Sequence, residues 1–81
     1  MVYTDGVHLV ADSLQELHGV AAIIGLKRCW FAGVRKGHPH YDLWGMHLVK
    51  AMKAGAKKVR PREVWEIAKR CAANGQTDMT V

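Results

Sequence analysis

The chain has 81 residues, of which 49% are hydrophobic and 23% charged, the composition of one ordinary globular domain. It has no apolar run as long as a membrane span, and its start lacks the basic and apolar regions of a signal peptide, so we expect a cytoplasmic protein without membrane contact. The net charge is +5, and ten of the twelve Lys and Arg residues fall between Lys27 and Arg62 beside a single acid, Asp42.

The first predicted elements are a short β-hairpin and a helix. Residues 2–10 predict the hairpin, because Asp5-Gly6 suits a tight turn between two β-favouring segments, and the alternative is one bent strand. Ser13 is a good helix N-cap, and apolar residues then recur at helical spacing, which predicts a helix from about Ser13 to Ile24.

The middle of the chain predicts a strand, a loop and a second helix. The segment from Lys27 to Ala32 favours a strand and is followed by a Gly-rich loop over residues 33–37. Asp42 is predicted to cap a second helix, which ends at Gly55. The apolar stripe predicted for that helix consists of Trp44, Leu48, Ala51, Met52 and Gly55.

The last elements are a short strand over residues 56–59 and a third helix from Pro61 to Asn74. We expect one α/β domain over residues 1–75 and a flexible tail over residues 76–81. Strands that alternate with helices predict a small sandwich with a mainly parallel sheet of three to four strands and three helices.

A sheet with so few helices is expected to leave one face for a partner subunit, which favours a homo-oligomer. Cys29 and Cys71 both lie in apolar patterns and are expected to be reduced core thiols rather than a disulfide.

The segment His38-Pro39-His40-Tyr41-Asp42 concentrates the side chains that can bind ligands. In an extended segment residues two apart point the same way, so His38, His40 and Asp42 are predicted to converge, with Tyr41 on the other side. Two imidazoles and a carboxylate suit a divalent metal ion. The alternative is that the His-x-His pattern is an ordinary loop and Asp42 only a helix cap.

The same segment also suits a phosphate ester. His38 and His40 can donate hydrogen bonds, Arg35 and Lys36 stand nearby, and Tyr41 is expected to stack on a base or a sugar. The basic segment from Lys27 to Arg62 points to a phosphate-bearing small molecule or a nucleic acid, unless its charges are only solvated faces of a helix and a strand.

Further polar residues lie near the first strand and the first helix. Asp12, Glu16 and His18 have structural explanations as a cap, a capping-box partner and a histidine beside an apolar stripe. Asp5 also suits a turn, whereas His8 has no such explanation, and both are candidates for assisting catalysis.

Trp65, with Arg62 and Lys69 nearby on the third helix, is expected to fill a core margin or a dimer contact. The alternative for Trp65 is stacking on a base.

Several residue groups together resemble a family of short bacterial and phage proteins classed as a domain of unknown function. The groups are Glu16-Leu17-His18, the run from Ile23 to Leu26, Trp30-Phe31, Pro39-His40-Tyr41-Asp42 and Gly55-Ala56. The resemblance spans about residues 2–70 and implies a small, phage-borne cytoplasmic α/β protein with its site at the His-Tyr-Asp loop. Family members tend to have a paired Asp and a longer insertion near the start, where this chain has only Thr4-Asp5-Gly6.

The leading functional prediction is a protein that binds a nucleotide or another phosphate-bearing ligand through Arg35, Lys36, His38, His40 and Tyr41, for example a phage protein that sequesters a host nucleotide. The alternative is a metal-dependent or histidine-assisted phosphoesterase or nuclease that uses His38, His40 and Asp42 with His8 or Asp5. Non-specific nucleic-acid binding and a purely structural assembly role are further alternatives. The chain has no Walker-type loop, no Cys-x-x-Cys and no nucleophile elbow, so binding is preferred over catalysis.

Overall fold

The β-hairpin predicted at the start of the chain is present. The computed structural model describes residues 1–74, and in it β1 (Val2–Thr4) pairs antiparallel with β2 (His8–Ala11). The Asp5 carboxylate fixes the turn between them, because its Oδ1 accepts the backbone amides of Val7 and His8, both at 2.9 Å.

The first helix also lies where the sequence predicts it. Helix α1 (Leu14–Ile23) begins after Ser13, whose hydroxyl accepts the Glu16 amide at 3.2 Å, and Glu16 accepts the Ser13 hydroxyl in return at 3.1 Å. Leu14, Leu17 and Ala21 form its buried face.

The predicted strand from Lys27 to Ala32 is wrong. Residues Arg28–Trp30 form a 3₁₀ turn, in which the Trp30 amide donates to the Lys27 carbonyl and the Phe31 amide to the Arg28 carbonyl. These local bonds replace a strand ladder, and only Ala32 pairs across, with His40 in an isolated antiparallel bridge. The chain then reverses direction over residues 33–37 and returns as β3 (Tyr41–Asp42).

The second helix starts later than predicted. Asp42 lies in β3, and α2 (Met46–Lys53) begins after Gly45, so the assignment of Asp42 as its N-cap is wrong. The expected stripe is also partly wrong, since Trp44 precedes the helix and is 49% exposed, whereas Ala51 is buried. Strand β4 (Lys57–Lys58) and helix α3 (Pro61–Asn74) follow as predicted.

The four strands form one mixed sheet in the order β3-β2-β1-β4. Two of its three pairings are antiparallel, β1 with β2 and β2 with β3, and only β1 with β4 is parallel. The prediction of a mainly parallel sheet is therefore wrong, although the α/β class holds. The reason is the reversal at residues 33–37, which turns the chain round after α1 and the 3₁₀ turn, so that β3 runs antiparallel to β2.

Helices pack on both faces of the sheet. Leu9 and Ala11 of β2 join the core cluster that contains the buried residues of α1 and Ala51 of α2, whereas Val10 packs with Val64 and Ala68 of α3. This alternation follows from the period of two along a strand. The expectation of a helix-free sheet face is therefore wrong, and the homo-oligomer remains a prediction.

The cysteines and the end of the chain complete the comparison. Cys71 is buried as expected, but Cys29 is exposed within the 3₁₀ turn, and neither forms a disulfide. The predicted tail at residues 76–81 lies outside the described residues. Within residues 1–74, no helix is long and apolar enough to cross a bilayer.

Candidate metal centre

The segment from His40 to Asp42 delivers its side chains alternately to the two faces of the sheet. Tyr41 is 1% exposed and lies in the core cluster shared with α1, whereas His40 and Asp42 lie on the opposite face, the one covered by α3. The separation of Tyr41 from its neighbours is as the sequence predicts. Because β2 and β3 pair with His8 opposite Asp42, the imidazole of His8 comes to the same place.

The side chains of His8, His40 and Asp42 form a compact group. Each offers one ligand atom, and these atoms lie within 4.8 Å of one another. Asp42 Oδ1 is 3.6 Å from His40 Nε2 and 3.8 Å from His8 Nε2. Ligand atoms held at about 2.1 Å by one metal ion lie roughly 3–4 Å apart. A small movement of the three side chains toward a common centre would therefore bring their ligand atoms to coordination distance. The Asp42 side chain is 60% exposed, which leaves the group open to solvent.

The other ring nitrogen of each histidine has a hydrogen-bonding partner. His8 Nδ1 lies 3.1 Å from Asp5 Oδ2, and His40 Nδ1 lies 2.9 Å from the backbone carbonyl of His38. Both partners are acceptors, so each Nδ1 donates and each Nε2 keeps a lone pair. This is the arrangement in which protein histidines bind metal ions, with an outer acceptor fixing the tautomer and the ring orientation.

The surroundings of the Asp5 carboxylate, which contacts Nδ1 of His8, favour its ionised form. Its side chain is only 5% exposed, and this burial raises the pKa of the carboxyl, but hydrogen bonds from the Val7 amide, the His8 ring and the His8 amide outweigh it. The net effect is a lowered pKa. Asp5 therefore supplies a negative charge at the far side of the His8 ring, which strengthens Nε2 as a ligand.

Trp65 of α3 forms a wall of the group. Its ring centroid lies 4.7 Å from that of His8, 5.0 Å from His38 and 5.3 Å from His40. The imidazole of His38 lies beside His40, with ring centroids 5.7 Å apart, but it is not one of the three convergent groups. His8 therefore takes the place in the cluster that the sequence analysis gave to His38.

Tyr41 lies away from this surface. Its hydroxyl is 2.7 Å from His18 Nδ1, and its ring packs against Phe31 at a centroid distance of 5.4 Å. Burial raises the pKa of the Tyr41 phenol. A buried phenol on the α1 side cannot stack on a ligand that sits beside His40.

Arg35 and Lys36 border an open cleft next to His40. The cleft has a volume of about 460 Å³ and is lined by residues 31–36 together with His38 and His40. Both cations are exposed at the tip of the loop that reverses the chain. The structure thus brings Arg35, Lys36, His38 and His40 to one cleft, as the sequence analysis expected, and His40 belongs both to the cleft and to the metal-ligand group.

A family model described as a protein of unknown function, DUF4031, matches residues 4–71. The chain belongs to this family. No curated protein and no solved structure matches it. The DUF4031 match includes all of β2, β3 and α2 and most of α3, and therefore every residue of the group described above.

The sequence alone does not indicate the role of two residues of this candidate site. It predicts His8 as an assistant in catalysis rather than a metal ligand, and it predicts Trp65 at a core margin or a dimer contact. Both reach the site only through non-local packing, by the pairing of β2 with β3 and of α3 with β2. The usable signal for His8 was its position three residues after Asp5, next to a turn that the aspartate closes.

Proposed function

We propose that this protein is a divalent-metal-dependent hydrolase of phosphate esters, with His8, His40 and Asp42 as metal ligands. The observation that carries the proposal is the convergence of Nε2, Nε2 and Oδ1 with both Nδ1 atoms already engaged. Three protein ligands on an accessible surface are typical of catalytic metal sites, which keep a position for water, rather than of closed structural sites.

Phosphate is favoured as the substrate group because of the positive charge around the site. Within residues 1–74, no Lys or Arg side chain lies within 4 Å of a carboxylate. Arg35 and Lys36 share the cleft with His40, so they can hold a phosphoryl group beside the metal ion.

The proposed reaction is addition of water to phosphorus. A metal ion held by the three ligands would lower the pKa of a bound water and polarise a phosphoryl oxygen. The water oxygen forms a new bond to phosphorus, the ester P–O bond breaks, and the leaving alkoxide takes up a proton, giving an alcohol and a phosphate. The protein itself contributes two things to this reaction. Asp5 orients the His8 ring, and Arg35 and Lys36 make the cleft beside His40 electropositive for the substrate.

Metal binding and turnover together test the proposal. We expect the chelator-treated protein to bind one Zn²⁺ or Mn²⁺ per chain by calorimetry, and to hydrolyse bis(p-nitrophenyl) phosphate only with metal. His8→Gln and Asp42→Asn should weaken metal binding at least about tenfold and abolish turnover. Asp12→Asn is the matched control, since Asp12 is 51% exposed but lies beyond the other end of β2. Failure to bind either metal, or full activity in Asp42→Asn, contradicts the proposal.

A second candidate is binding of a phosphate-bearing ligand without turnover. It is favoured by the cleft that joins Arg35 and Lys36 to His38 and His40. Tight binding of a nucleoside monophosphate that is unaffected by a chelator, with no hydrolysis at any metal concentration, would select this candidate over the hydrolase.

A further inference from the structure

Helix α3 carries a charged and aromatic stripe at the rim of the metal centre. Its core residues Val64 and Ala68 face the sheet, and Trp65 lies one position round the helix, against His8 and His40. Arg62 and Lys69 stand three residues before and four residues after Trp65, which places them on the same side of the helix. Both are exposed, and neither has a carboxylate within 4 Å among the described residues.

The stripe is longer than one phosphate group. From Arg62 to Lys69 the helix rises about 10 Å at roughly 1.5 Å per residue. Arg62 and Lys69 therefore lie on either side of Trp65 along the helix rather than in one pocket.

We propose that the substrate is a single-stranded nucleic acid that lies along α3, with a base on Trp65 and phosphates on Arg62 and Lys69. This inference rests on the proposed phosphoesterase function and names its substrate class. Cations that flank an aromatic side chain are the arrangement by which proteins hold single strands, because every base has a face for stacking and every linkage carries a charge. A nucleic-acid strand in this position has one phosphodiester beside His8, His40 and Asp42.

A single strand fits this surface better than a duplex. Trp65 can stack only on a base that is not already stacked within a double helix, and it lies beside the ligand group rather than on a protruding element that could enter a groove. A strand of several nucleotides can also reach Arg35 and Lys36, because their cleft shares His40 with the ligand group.

The test is a binding titration with a fluorescein-labelled twelve-nucleotide thymidine strand. Fluorescence anisotropy measures the binding, and EDTA is present so that no turnover occurs. The double variant Arg62→Gln/Lys69→Gln should weaken binding about tenfold and reduce the slope of log affinity against log salt by about 1.4, roughly 0.7 for each lost phosphate contact. Trp65→Leu should weaken binding by about tenfold with the slope unchanged, because stacking releases no counterions. Trp65→Phe should retain most of the affinity.

The matched control is Lys50→Gln/Lys53→Gln. It removes two charges from α2, which packs on the opposite face of the sheet, and it should leave binding and slope nearly unchanged. A twelve-nucleotide uridine strand measured in parallel distinguishes RNA from DNA, and binding of either strand through α3 supports the proposal. The same thymidine strand in a duplex should bind more weakly.

Equal effects of the α2 and α3 variants, no binding of either strand, or a preference for the duplex would overturn the inference. The outcomes also separate it from the proposed function. Metal-dependent hydrolysis of bis(p-nitrophenyl) phosphate without α3-dependent strand binding would support the hydrolase and contradict single-stranded nucleic acid as its substrate. Strand binding through α3 without hydrolysis of the strand or of bis(p-nitrophenyl) phosphate would support the binding surface and contradict the hydrolase.

Discussion

At the scale of single residues, the site depends on which nitrogen of each histidine carries its proton. His8 donates from Nδ1 to a buried carboxylate, and His40 donates from Nδ1 to a backbone carbonyl. A backbone carbonyl cannot be removed by substitution, but Asp5 can be changed by one atom. Asp5 is therefore the residue at which the tautomer of a metal ligand can be tested directly.

We predict that Asp5→Asn lowers the affinity for Zn²⁺ about 10- to 100-fold without unfolding the protein. The amides of Val7 and His8 are fixed donors, so the side-chain oxygen of the new asparagine faces them and its NH₂ faces His8. His8 Nδ1 must then accept, which moves the proton to Nε2 and removes the lone pair that binds metal. Calorimetric titration measures the affinity, and circular dichroism checks the fold. Unchanged affinity would show that Asp5 does not act through His8.

At the scale of elements, the loop between the 3₁₀ turn and β3 positions the site. Ala32 and His40 exchange two backbone hydrogen bonds, of 3.0 and 2.9 Å, and the His38 amide donates to the Gly33 carbonyl at 3.0 Å. Gly33 has a φ of +82°, and a Cβ there would lie 2.2 Å from the His38 carbonyl oxygen and 2.7 Å from His40 Nδ1. The loop therefore closes directly onto the hydrogen bond that orients His40.

Gly33→Ala is expected to destabilise the protein by about 3 kcal/mol or more, because the clash is with backbone and requires the loop to shift. It should also weaken metal binding, since the shift breaks the bond from His40 Nδ1. Gly37→Ala is the control, with a similar φ of +75° but no atom within 4 Å of the new Cβ, and it should cost only about 1–2 kcal/mol. Urea denaturation with metal titration measures both effects. Equal losses in the two variants would contradict the role of close contact at Gly33.

The elements differ in how far the sequence predicts them, and the difference follows from the range of the interactions. Helix α3 begins at Pro61 and α1 follows Ser13, both set by signals within one turn of the helix end. Trp30 and Phe31 favour a strand in the sequence, but the structure places them in and directly after the 3₁₀ turn. From there Trp30 packs against Trp44, and Phe31 packs against Tyr41.

The candidate site shows the same limit. The proximity of His40 and Asp42 is a local property of extended chain, whereas the arrival of His8 requires the antiparallel pairing of β2 with β3. No local pattern specifies that pairing, since it depends on the reversal at residues 33–37 and on burial of Leu9 and Tyr41 on the same face.

At the scale of the whole molecule, the metal ligands join distant parts of a small chain. His8 belongs to the first hairpin, and His40 and Asp42 follow after α1 and the 3₁₀ turn. A domain of this size has a thin margin of stability, so a ligand that binds only the folded state contributes visibly.

Bound metal should therefore raise the melting temperature. At a free Zn²⁺ concentration 100 times the dissociation constant, linkage adds about 2.7 kcal/mol, which corresponds to an increase of roughly 10 °C or more for a domain of this size. Thermal melts followed by circular dichroism, with and without Zn²⁺, measure the shift. It should be reversed by EDTA and absent in Asp42→Asn, and an equal shift in that variant would place the stabilising metal elsewhere.

The outer strand β4 has a consequence for how copies of this protein meet. It forms one edge of the sheet, contains only Lys57 and Lys58, and both side chains are exposed. A second copy that extended the sheet at this edge would gain few ladder hydrogen bonds and would bring ammonium groups of like charge together. Strand addition is therefore disfavoured at this edge, and we expect copies of the protein to meet through a surface other than β4.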